Sequence, residues 1–439
     1  MLQIFTPGHF FHPEYVYICA TVFGDFLDTP YELHTGTDCS SWILRQGAAK
    51  IRLGNCLFPE TAPETFFQLS RLAPNGKTLE AKNFRGHPLM TLQAAEEDAN
   101  ALPDLLGTIF FLLTAFEDAC NLPRDEHDRL LPEQTWLYRN SLLFRAVADE
   151  LLEELVHRLA SVGITIPIRN PSHAVVYSCD VDTPFHWHHL SPRRFVRVVA
   201  GALLKRRNIS EAARMLLSRL DAARDPYFSF ATICDTLAEC GIKGNFYFMG
   251  GASSLKYDTP YDLNSPPLQR LRDNLLQQGH QIGFHPSYHS SDNEEIFFRE
   301  LQCLRHWSPE PVCEGRQHYL RFKGSATWRM WEKYGLICDS SLAYSHALGF
   351  RCGTARKFGV YDLEQRRSLS LKEQPLLCMD GTLIEAAPPL SEDAFALTRQ
   401  LHETVCHYGG SMTVLWHNSS LSAPEKFRHF TELLSQLCR

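Results

Sequence analysis

The sequence predicts an α/β fold, a parallel sheet or barrel wrapped by helices and preceded by a smaller α+β domain. Three observations lead there. From residue 172 onward, short apolar runs alternate with amphipathic helical stretches, the pattern of successive βα units. Those runs end on ionisable side chains, Asp180 and Asp182, His285, Asp339 and His417, and α/β barrels carry their chemistry at the C-terminal ends of parallel strands. Before residue 165 the alternation is missing, and the stretch Gly-Ile-Thr-Ile-Pro-Ile-Arg-Asn-Pro-Ser at 163–172 reads as a boundary. The expected domains are therefore 1–165 and 172–439, in a chain of 439 residues.

Taken in order, residues 15–23 read as a strand from their β-branched and aromatic content, 31–34 as another, and 50–53 as a third. Residues 102–120 predict a helix with an apolar face, and 142–161 a second amphipathic helix. Between them, Asp125, Glu126, His127 and Asp128 read as a solvated loop or a domain-interface salt-bridge cluster in preference to a metal site. In the second half, strands are expected at 174–179, 244–249, 281–284, 319–322, 336–339 and 412–417. Helices are expected at 191–206, a basic stretch, and at 228–240, 267–278, 293–304, 327–334 and 392–408.

Composition narrows the function classes. Hydrophobic residues at 44% and charged residues at 21% suit a globular protein in water. A net charge of −7 argues against a nucleic-acid partner. The 14 cysteines include no Cys-x-x-Cys pair, and Cys179, Cys234 and Cys338 sit in apolar runs, which suggests reduced, buried thiols. The N-terminus lacks the cationic start and apolar core of a secretion signal. The longest apolar run, 105–116, is too short for an integral membrane span. A cytoplasmic protein is the expectation.

The chemistry centres on His285-Pro286-Ser287-Tyr288-His289, two imidazoles four residues apart after an apolar run. Imidazole is a common ligand for zinc, cobalt, nickel and iron. Two histidines do not close a metal site, so a carboxylate is expected as third ligand, with one position left for water. Asp180-Val181-Asp182 ends the strand at 174–179. One of its carboxylates can bind the metal while the other accepts a proton.

An ordered series of motifs over residues 172–439 resembles the polysaccharide deacetylase family, the NodB-homology carbohydrate esterases. The series comprises Asp180-Val181-Asp182, His285 to His289, Arg316-Gln317-His318-Tyr319, Asp339-Ser340-Ser341-Leu342 and Leu415-Trp416-His417. His318 stands where the family's third motif has proline, and the fourth motif lacks its usual tryptophan. Gly349-Phe350-Arg351-Cys352-Gly353-Thr354 and the segment 110–150 further resemble a bacterial variant with an N-terminal accessory domain.

The resemblance implies a deformed (β/α)7-type barrel and a divalent metal ion, zinc first, with cobalt, nickel or iron as other choices. It implies Asp182, His285 and His289 as metal ligands, Asp180 as base, Arg316 as its orienting cation and His417 as acid, with Asp339 keeping that imidazole charged. The oxyanion would rest on the metal and a backbone N–H near Tyr319. Trp187, beside His186, His188 and His189, is either a sugar-stacking ring or part of a surface loop. Tyr288 and Trp416 either line the pocket or pack in the core. The activity implied is removal of N-acetyl groups from a glycan or glycan precursor. Hydrolysis of another small amide or ester is the alternative within the class. A metal-binding carbohydrate-recognition or scaffold protein is the alternative outside it, and a full set of base, ligands and acid favours turnover.

Overall fold

The computed structural model describes residues 1–8, 12–35, 40–55, 79–92, 102–120, 122–167, 172–188, 190–386, 392–422 and 424–438. Part of the expected boundary, 168–171, and His189 lie outside the described residues. In chain order the described strands are β1 (Leu2–Phe5), β2 (Tyr31–His34), β3 (Trp42–Gln46), β4 (Ala49–Leu53), β5 (Leu79–Phe84), β6 (His87–Leu92), β7 (His173–Val181), β8 (Gly244–Phe248), β9 (Gln281–Phe284), β10 (Glu314–Gly315), β11 (Cys338–Asp339), β12 (Phe358–Asp362), β13 (Arg367–Glu373), β14 (Cys378–Met379) and β15 (Gly410–Leu415). The fold is mixed α/β. By packing, the chain divides into two compact units. The first takes Met1–Ala174, Phe322–Leu377 and Glu403–Ser411, and the second Val175–Arg321, Cys378–His402 and Met412–Arg439.

The first unit holds a four-stranded sheet in the order β2-β1-β3-β4 and a separate β5–β6 hairpin. The expected strand at 15–23 is instead the helix Pro13–Cys19, which runs on as a π-helical turn, Ala20–Phe26. Pro13 at the first turn and Glu14 beside it are helix-start signals that outweigh the β-branched content. Glu14 is also buried against Arg366 and Tyr361, partners that only the folded chain supplies. The helix expected over 102–120 covers Leu105–Leu113, capped by the Asp104 carboxylate on the Gly107 N–H. It ends because Ala115 turns left-handed, with φ of 48°, before the 3-10 turn Phe116–Ala119. Asp125 accepts the His127 and Arg129 amides and pairs with the Arg129 side chain, the closed polar loop the sequence suggests.

The 349–354 motif stitches this unit together. Gly349 has φ of +131°, and a Cβ there would stand 2.2 Å from the Leu143 carbonyl, so only glycine fits. Phe350 N–H donates to Leu143 O, and Ala148 N–H to Gly353 O. Arg351 enters a buried acidic pair, 2.6 Å from Asp118 and 3.7 Å from Glu117. Burial raises the Glu117 carboxyl to about 7, more than Arg351 and the Trp136 N–H can offset.

A stability prediction follows. The folded pKa exceeds the ordinary 4.5, so the folded state holds the extra proton between these values. The stability of the protonated carboxyl is complete below the ordinary value and is lost as pH rises through the folded one. A shift of this size is worth about 3 kcal/mol. Glu117→Gln should remove this loss. In urea unfolding at about pH 5 and about pH 8, wild type should weaken relative to the variant at the higher pH. An equal change in both proteins would refute it.

The second unit carries parallel strands in the order β10-β9-β8-β7-β15-β14. Helices Phe230–Glu239, Pro266–Gln277 and Glu294–Trp307 lie between successive strands of this set, as parallel pairing requires crossovers. Register puts the site on one edge. Val181 pairs with Phe248, Phe248 with Phe284, and Phe284 with Gly315. The following residues, Asp182, Met249, His285 and Arg316, therefore start level. Met379 pairs with Leu415 in the same way, just before Asp380 and Trp416. The core beneath includes Tyr177, Phe246, Trp416 and Phe430. The strand expected at 319–322 is absent. His318–Leu320 forms a 3-10 turn in which Tyr319 and Leu320 both have positive φ, 58° and 53°.

The described cysteines are free thiols. Among the described residues no helix is long and apolar enough to cross a membrane.

Candidate metal centre

Three side chains converge above the level strand ends. Ligand atoms of Asp182, His285 and His318 lie within 4.8 Å of one another. His285 Nε2 is 3.0 Å from Asp182 Oδ1, and His318 Nε2 is 3.6 Å from the same oxygen.

The other ring nitrogens fix the tautomers. His285 Nδ1 lies 2.7 Å from the Arg316 carbonyl, so it is the donor there and Nε2 keeps its lone pair. His318 Nδ1 lies 3.0 Å from Asp258 Oδ1. A histidine held at one nitrogen by an acceptor, with the other aimed inward, is the usual arrangement around a protein-bound metal. His285 Nε2 and Asp182 Oδ1 are buried and, despite their proximity, make no hydrogen bond. Two imidazoles, a carboxylate and two orphaned buried acceptors suit a zinc-like cation.

The charges respond to this crowding. Burial opposes ionisation of Asp182, yet the His318 and His285 imidazoles hold its carboxyl well below the usual range. Burial likewise opposes charge on His318, but Asp182 and Asp258 push it up to about 9. Asp258 is drawn down to about 2 against its own burial, by His318 and by the backbone N–H groups of Tyr288 and Ser254.

Asp180 is 2% exposed, one residue short of the strand end. Arg316, fully buried, donates from Nη1 to Asp180 Oδ1 at 2.8 Å and from Nη2 to Ser178 Oγ at 3.0 Å. One residue thus sets two others, since its carbonyl also holds His285. His417 stands at the end of β15, with Nε2 3.5 Å from Asp182 Oδ2. Its Nδ1 is 2.8 Å from Asp380 Oδ1. Burial disfavours charge on that ring, but Asp380 and then Asp182 and Asp180 raise it to about 10.

Several expected residues sit elsewhere. His289 is exposed, donates its backbone N–H to Ser253 Oγ, and is not part of the cluster, whose third member is His318. The carboxylate on His417 is Asp380, not Asp339. The parallel pairing of β14 with β15 sets Asp380 beside His417, whereas Asp339 belongs to the first unit and accepts from Ser341. Trp187 is buried in a small core with Leu190, Phe195 and Met215, so its ring is not an open sugar platform. Trp416 is 2% exposed and packs on Phe430. Tyr288 is buried, stacked on Tyr257 at 4.0 Å with Arg321 over its ring, while Tyr319 is half-buried between them and His318.

Three residues of this arrangement escaped the sequence reading: the place of His318 in the cluster, Asp258 and Asp380. His318 was signalled by standing where proline was expected. Asp380 ends the short apolar run 376–379, the same cue as at the other strands. Asp258 lies in the loop after β8 and has no such cue.

Residues 2–163 match a family of unknown function, DUF7033. No curated protein matches the sequence. A solved structure described as that of a "putative polysaccharide deacetylase from Mycobacterium smegmatis" aligns at 15% identity with a TM-score of 0.40, over 62% of this chain and 85% of that one.

Proposed function

We propose that the protein is a metal-dependent hydrolase that removes N-acetyl groups from a glycan or glycan precursor. The observation that carries the reading is the convergence of His285 Nε2 and His318 Nε2 on Asp182 Oδ1, with both Nδ1 positions already engaged. The motif series in the sequence directs it toward deacetylation and toward the deformed barrel of the NodB-homology kind. In this reading residues 172–439 carry the catalytic motifs, although 322–377 and 403–411 pack with the first unit, and residues 1–165 are the accessory domain, whose bounds the DUF7033 match over 2–163 supports.

Asp182, His285 and His318 would hold the ion. A divalent cation there supplies Lewis acidity, lowering the pKa of a water and polarising an amide carbonyl. Asp180 accepts the proton of the attacking water, held in place by the planar Arg316 guanidinium. His417, kept protonated by Asp380, gives its proton to the departing nitrogen. Tyr319, half-buried beside His318, and Tyr257, half-buried against Tyr319, offer aromatic edges to a sugar ring.

The test combines metal analysis of the purified chain with an acetate-release screen across nucleotide sugars and N-acetylated oligosaccharides. One divalent ion per chain and acetate release from one class are expected. Metal bound without acetate release, but with release from another amide or ester, would move the protein to the alternative hydrolase. No retained metal would overturn the reading.

A further inference from the structure

The helices Pro192–Leu204 and Ile209–Leu220 form a hairpin with two apolar sides. One side is spent on the small core of Trp187, Leu190, Phe195, Ala202, Ala212 and Met215. The other faces water. On the second helix Ile209, Ala213, Leu216 and Leu220 follow i, i+4, i+7 and i+11, a single stripe. Ile209 is 76% and Leu220 84% exposed; on the first helix Val196 is 66% and Leu204 79% exposed. Seven of the fourteen large apolar side chains exposed among the described residues belong to this hairpin, so the patch is not scattered surface.

Its charge is as uneven. Residues 192–224 hold nine Arg and Lys against two acids, Glu211 and Asp221, a net +7 in a chain whose total is −7. Arg206 pairs with Glu211, Arg224 pairs with Asp221, and Arg219 binds backbone carbonyls. Among the described residues no carboxylate pairs with Arg193, Arg194, Arg197, Lys205, Arg207 or Arg214. Arg193 and Arg197 fall in the same helical row as Leu204, so cations border the apolar stripe directly.

We propose that this hairpin is an interfacial docking element that seats the protein on an anionic phospholipid surface. Exposed apolar side chains flanked by unpaired Arg and Lys match the acyl boundary and the charged headgroups at once. The long basic stems reach the headgroups while leucines enter the boundary. At 13 and 12 residues the helices are too short to span a bilayer, so they lie on it. A second copy is disfavoured because two +7 faces repel. A nucleic-acid backbone offers nothing to the apolar stripe. The inference does not depend on the hydrolase reading.

The test is co-sedimentation of the purified full chain with phosphatidylcholine vesicles with and without phosphatidylglycerol. Binding to the anionic vesicles should be at least about tenfold stronger and should weaken with salt. Leu204→Asp/Ile209→Asp/Leu220→Asp should lower it at least about tenfold. Arg193→Glu/Arg197→Glu, which leaves the apolar stripe intact, should abolish the anionic preference; unchanged far-UV circular dichroism checks the fold of both. Equal binding to both vesicle types, or wild-type binding by either variant, overturns the proposal. So does a dimer by light scattering that the leucine variant dissolves without any vesicle binding. Oligonucleotide binding in place of vesicle binding overturns it too.

Discussion

Asp182→Ala is expected to leave the purified chain without its metal, lowering affinity by more than about 100-fold, since outer-shell changes alone cost about 10–100-fold. Asp182 Oδ1 is the one atom that both inward-facing imidazole nitrogens approach, at 3.0 and 3.6 Å. Without it two histidines remain, and two do not close a site. His318→Ala should lose the metal to a similar degree, and His289→Ala should retain it, because the exposed His289 is not in the cluster. The measurement is metal content after gel filtration, with a chelator competition for affinity. Loss in His289→Ala with retention in His318→Ala would restore the ligand pair read from spacing and refute the geometry.

The acid pair has the next largest effect. His417→Ala should lower turnover by about 10²–10⁴-fold while the ion stays bound, the range for a lost general acid. Asp380→Asn is the finer probe. It keeps the shape of the side chain 2.8 Å from His417 Nδ1 but removes the charge that outweighs burial and raises the ring to about 10. A general acid must be protonated, so activity is lost as pH rises through its pKa. With the charge gone, that loss should shift to lower pH. A pH–rate profile for Asp380→Asn that superimposes on wild type would exclude Asp380 from the role.

How much was legible follows from where each residue's partners lie. Asp182 and His285 end apolar runs, and the register of β7 to β9 sets them level, whereas Arg316 follows the two-residue β10 and was reached only through its place in the motif series. Periodicity reaches that far. Choosing between His289 and His318 needs the path of the loop after β9. There Glu300, Asp258 and Ser253 hold the backbone of Ser287, Tyr288 and His289, and His289 remains exposed. No local rule contains those three partners. Asp380 was missed because its strand has two residues, too few to show a period. The helical segment from Pro13 to Phe26 was misread because Val16, Ile18 and Val22 favour strands, while buried Glu14 is matched by Arg366 and Tyr361, far along the chain.

The pairing of β7 with β15 has a consequence for synthesis. Ser178 reaches the Val414 carbonyl across 236 residues, whereas the β7–β8 and β8–β9 pairings span far less chain. On the ribosome, Asp182, His285 and His318 emerge together with the strands that level them. Asp380 and His417 arrive last, through the slowest kind of loop closure. On the proposed reading, a nascent chain would hold its three candidate ligands well before Asp380 and His417, and turnover would wait on the final strand.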